Sequence, residues 1–219
     1  MSTRPHRLST PRAAGLAGVL FAVLFATAIC LIVTALPEGA APGSQWLQGA
    51  AGQLRVAAVL MPFCGLSFLW FIAVVRDGLG RFEDRFFATV FFGSGLLFLA
   101  MMFVSSAVGA ALVASRAAAV DGPTHVAIAA FGQALLLALT KSYGVRMGAV
   151  FMISLATIWL KTGLMPRWLI AVTYAVAVAL LIVTDMSMWI TLTFPAWVLM
   201  VSLLALARAG IIDLHHRDG

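Results

Sequence analysis

A chain of 219 residues that is 63% hydrophobic and 10% charged, with a mean hydropathy of +1.05, is excluded from the ordinary soluble class, where about a quarter of residues carry charge. Its formal charge of +6 and pI near 10.4 do not indicate nucleic acid, because the arginines stand at the ends of apolar runs and form no basic patch within a polar surface. Cys30 and Cys64 both lie inside apolar runs and make no CxxC pair, so neither a disulfide framework nor redox chemistry is supported.

In chain order, the polar segment 1–12 carries Arg4, Arg7 and Arg12 ahead of an uncharged run from Ala13 to Pro37. That run is much longer than the roughly 7–15 apolar residues of a cleaved signal peptide, and it reads as a signal-anchor helix with its N-terminus inside. Glu38 to Gln53 is rich in Gly, Pro and Ser, has one acid and no base, and reads as an external loop. A second span, Val56 to Val75, follows Arg55, with a kink expected at Pro62.

The charged stretch Arg76 to Arg85, RDGLGRFEDR, separates that run from the uncharged run Phe86 to Ser115. Each run is long enough to cross a bilayer, which takes about 20 apolar residues, so the stretch is a hinge at one membrane surface. Arg76 is placed to end one helix, while Glu83 and Asp84 begin the next, as the helix dipole favours. Asp77 can pair with Arg81. The six charged residues Arg76, Asp77, Arg81, Glu83, Asp84 and Arg85 are a candidate docking surface for a membrane-protein partner.

Thr124 to Lys161 reads two ways: as two short spans, Thr124 to Thr140 and Met147 to Leu160, or as one long helix. With six spans and both termini inside, ten of the fourteen basic residues are cytoplasmic, and Arg55, Arg116, Lys141 and Arg146 are external. Seven spans give eight against six, so the positive-inside rule favours six. The last two spans are Trp168 to Thr184 and Met186 to Ala207, joined around Asp185. The fold class is therefore all-α, a polytopic transmembrane bundle over 13–207, with cytoplasmic tails at 1–12 and 208–219.

The runs MPFCGLSFLWFIAVVRDGLGRFEDRFFATVFFGSGLLFLA and YGVRMGAVFMISLATIWLKTGLMPRW, and within them RDGLGRFEDRFFATVF and RMGAVFMIS, resemble a family of small polytopic membrane proteins from actinobacteria. The resemblance covers about a third of the chain. It implies a multi-span protein of a bacterial plasma membrane and carries over no catalytic residue.

The chain has no GxxxxGK[ST], HExxH or GxSxG, and no paired metal-ligand spacing. His6, His215 and His216 are in the tails and His125 begins the fourth element, so no second histidine faces a haem, and no cofactor or metal is expected. Gly144-xxx-Gly148 and Ser105-xxx-Gly109 read as close helix contacts within the bundle in preference to a homo-oligomer seam. Met101, Met102, Met147 and Met152 read as adaptable core.

Arg55, Lys141, Arg146 and Asp185 form a candidate external cleft for an anionic lipid or small anion. Arg146 would sit about 7–8 Å below Lys141 by helical rise, where a charge is costly unless paired, and Asp185 is the acid nearest in depth. Two functions follow: a non-enzymatic bundle that docks a partner or lipid, or a small transporter with that cleft. An enzyme ranks third, because no nucleophile, carboxylate pair or metal set is present. The absence of an internal repeat weakens the transporter.

Overall fold

The structure is a computed structural model describing residues 10–36, 46–79, 85–117, 123–183 and 187–215. Its elements are α1 (Thr10–Ala35), α2 (Trp46–Leu79), α3 (Arg85–Ala117), α4 (Pro123–Leu137), a π-helical segment (Ala138–Gly144), α5 (Val145–Thr162), α6 (Arg167–Val183), a 3-10 turn (Met188–Leu192) and α7 (Thr193–His215). No strand occurs among the described residues. Apolar chain surrounded by lipid must satisfy its backbone within each segment, and helices do so.

Five helical stretches are long and apolar enough to cross a membrane: Arg12–Ala35, Gly49–Asp77, Phe86–Ser115, Val126–Thr162 and Met188–Arg208. Arg167–Val183 is a shorter apolar helix. A lipid bilayer is the environment these helices require.

Two boundaries differ from the sequence reading, and one choice it left open is decided. α2 starts at Trp46, inside the stretch read as external loop, because no proline lies between Pro42 and Pro62 and the Leu, Gln and Ala of WLQGAAGQL favour helix enough to carry its two glycines. The ambiguous stretch 124–161 is one helical rod. Leu137, Gly144 and Val145 all keep right-handed helical dihedrals, so Lys141 and Arg146 do not mark a loop. Pro123 is its first residue, where the missing N–H costs nothing. Finally, α7 continues to His215, past the expected end at Ala207. The rod itself ends at Gly163, whose φ of 66° suits glycine and whose N–H donates to the Trp159 carbonyl at 2.9 Å.

α1 packs against α2 and α7; α3 packs against α2 and the rod; α5 packs against α6. The helices meet on rings. Phe21 and Phe25 of α1, Phe68 of α2, Phe98 of α3, Phe151 of α5 and Phe194 of α7 are all essentially inaccessible. Phe68 is 4.5 Å from Phe21, 5.3 Å from Phe151, 5.6 Å from Phe98 and 5.8 Å from Phe194 between centroids. Trp197 extends this centre by donating its indole N–H to Thr173 Oγ1 of α6 at 3.0 Å. A second tie joins α5 to α6, Thr157 Oγ1 to the Tyr174 hydroxyl at 2.6 Å. Met102 and Met152 are buried as expected of core, whereas Met101 and Met147 are half-buried.

One end of the bundle collects basic side chains. The Lys161 ammonium lies 4.5 Å from the Phe87 ring centroid, and the Arg76 guanidinium lies 5.6 Å from that of Phe92. Arg208 donates to the Leu164 carbonyl, and Gly15 of α1 lies against Leu206 of α7. The start of α1, the ends of α2, α5 and α7 and the start of α3 therefore share this end.

Candidate functional site

Of the residues expected to form an anion cleft, Arg55 is exposed on α2, while Lys141 and Arg146 are half-buried on the rod. α3 packs against both elements. Asp185 lies outside the described residues, as do Arg81, Glu83 and Asp84 of the hinge. Of the other hinge residues, Arg76 and Asp77 are exposed in the last turn of α2, and Arg85 is the first residue of α3.

Lys141 belongs to the π-helical segment and Arg146 to the first turn of α5. Arg146 is fifteen positions from Lys161, about 22 Å of helix, which puts Arg146 about 8 Å inside the far face of a 30 Å core. Neither cation is free. Single π turns inside α-helices are frequent at functional sites, and here the widened turns coincide in depth with the charges.

The reason for the π segment is visible on α3. Ser105 and Thr140 are both buried, with their hydroxyl oxygens 2.6 Å apart, and Ser105 also donates to the Leu136 carbonyl at 3.4 Å. Ser105 bridges the Thr140 hydroxyl, where either oxygen can donate, and the Leu136 carbonyl. The bridge thus serves a carbonyl in the last turn of α4, where i→i+4 pairing gives way to the i→i+5 bond from Val145 N–H to the Thr140 carbonyl. Gly144 lets the methyl end of Met102 approach, and Gly148 lies against the ring of Phe194. Both small-residue pairs named from the sequence are therefore contacts within the bundle, Gly109 sitting under Leu136 and Leu54.

A feature absent from the sequence reading is a laterally open groove of about 290 Å³ between α2 and α3, lined by Ala58, Met61, Pro62, Phe103, Ser106, Ala107 and Ala110. The only sequence signal for it was Pro62.

Among the described residues, no group of three or more His, Cys, Asp or Glu side chains could hold a metal ion. Comparison with protein-family models, with curated proteins and with solved structures finds no match to this chain.

Proposed function

We propose that this chain is a six-span, non-conducting and non-enzymatic component of a bacterial plasma membrane, with both termini and the 76–85 hinge in the cytoplasm, where the hinge docks a partner. The observation that carries the reading is the solid aromatic centre. Phe21, Phe25, Phe68, Phe98, Phe151 and Phe194 fill the axis along which a translocation path would pass. The six-span count draws support from the single rod over 123–162 and from the shared basic end. The bacterial setting draws on the resemblance of RDGLGRFEDRFFATVF and RMGAVFMIS.

Reporter fusions after Gly80, Gly163 and Gly219 should all read cytoplasmic. An external signal at Gly219 with an internal one at Gly144 would establish seven spans instead. For docking, reversing Asp84 to lysine should remove a partner that copurifies in mild detergent while lowering thermal stability only modestly, since the change opposes the helix dipole; retained copurification rejects the hinge as the contact.

A second reading, an anion transporter, is favoured by the half-buried Lys141 and Arg146 beside a π segment. Proteoliposomes holding the purified protein and loaded with chloride or phosphate should show efflux no faster than empty vesicles. Efflux that appears with the wild type and disappears in Arg146→Gln would replace the first reading with the second.

A further inference from the structure

We propose that the α2–α3 groove is a binding site for one anionic glycerophospholipid, with its phosphate at Arg55 and one acyl chain lying between Ala58, Pro62 and Phe103. This needs only that the bundle cross a bilayer; it is independent of which side is cytoplasmic and of the docking hinge.

The antiparallel register of α2 and α3 is set by two close approaches. Gly65 faces the ring of Phe103, and Leu54 lies over Gly109. Because Gly65 has no side chain, the Phe103 ring settles against α2 and closes the deeper end of the groove, which makes it a bounded notch. Above that ring the walls are the small side chains Ala58, Ala107 and Ala110. Arg55 is one helical turn further out than Ala58 on the same strip of α2, exposed, and without a hydrogen bond or ion pair among the described residues.

Depth and polarity then follow the order of a lipid's own parts. Arg55 is 21 residues from Arg76, about 31 Å of helix, which puts the guanidinium at the headgroup level of a 30 Å core. Pro62 is seven residues deeper, among the chains. Between them lie two polar groups. Pro62 has no N–H to give the Ala58 carbonyl, so that oxygen is left an acceptor. The Ser106 hydroxyl, about 30 Å of helix from Phe86 where the apolar span of α3 begins, is the one polar side chain in the lining. Cation, hydroxyl with carbonyl, and apolar notch therefore succeed one another as phosphate, glycerol ester and acyl chain do. The positive charge at the mouth selects an anionic headgroup over a zwitterionic one.

Native mass spectrometry of the full-length protein released from nanodiscs containing equal phosphatidylglycerol and phosphatidylethanolamine tests this. The wild type should retain one phosphatidylglycerol. Arg55→Gln should lower its occupancy about tenfold relative to phosphatidylethanolamine. Ala107→Phe, which fills the exposed side of the notch, should remove both lipids. Each variant is scored only against its own melting temperature in lipid-free detergent, which should match the wild type. Equal retention by the wild type and both variants would overturn the site, and loss in Ala107→Phe with no headgroup preference in the wild type would overturn the role of Arg55.

Discussion

Truncating Phe68 to alanine lowers the unfolding free energy of the bundle by about 3 kcal/mol. Phe68 is the ring on which four other helices converge, in contact with Phe21, Phe98, Phe151 and Phe194 as well as with Phe71 of its own helix. Lipid is as apolar as the protein interior, so the transfer part of a large-to-small substitution contributes little, and the expected cost sits near the low end of the range for phenylalanine. What remains is the cavity: the facing rings lose dispersion contacts that no neighbour can replace. Phe68→Leu, which keeps most of the volume, should cost less than half as much. Denaturation in mixed detergent micelles, followed by tryptophan fluorescence, reads both variants. A Phe68→Ala loss within 0.5 kcal/mol, on the order of a surface substitution, would show that the centre is not packed as described.

Replacing Gly18 with alanine should destabilise by about 2–3 kcal/mol, even though alanine is intrinsically about 1 kcal/mol the better helix former. A β-carbon at this position would run into Ser202 Oγ of α7 and come within 2.8 Å of the Phe71 ring. Both obstacles are buried. Ser202 adds a second expectation. Its hydroxyl oxygen is the one buried side-chain oxygen or nitrogen without a hydrogen-bond partner among the described residues. Ser202→Ala alone should therefore be neutral or stabilising by up to about 1 kcal/mol. It should also recover much of the Gly18→Ala loss, because removing Oγ relieves the closer of the two collisions. A strictly additive double mutant would mean that α1 and α7 do not approach each other at this point.

Two helix ends were legible in the sequence because charge marks them. Arg76 and Lys161 lie at the last turns of α2 and α5, and both stack on phenylalanines of α3 at one end of the bundle. Counting charge also favoured a single span over 124–161, but the local pattern left two short elements open. Lys141 and Arg146 resemble a loop in that pattern, but charge does not break a helix, and that stretch contains no proline to do so. The π segment was invisible, since it rests on Ser105, which is 35 residues away from Thr140. Small residues announced that close approaches exist without naming the partner: Gly148 receives Phe194, and Gly144 receives Met102. The groove was equally hidden, because it arises where the absent side chain of Gly65 admits a ring from another helix. The proposed cleft had only its members in common, and their neighbours depend on which helix packs where.

The aromatic centre has a consequence for how the molecule is made. Four of the helices that supply its rings precede α6, but Phe194 and Trp197 belong to α7. Until α7 leaves the ribosome and enters the bilayer, the faces of Phe21, Phe98 and Phe151 that meet Phe194 have only lipid against them. The aromatic centre is therefore completed only when the last helix packs onto helices already in contact with one another. A nascent chain stalled before Phe194 would present an open aromatic slot within the membrane, a recognisable signature for whatever clears unfinished bundles.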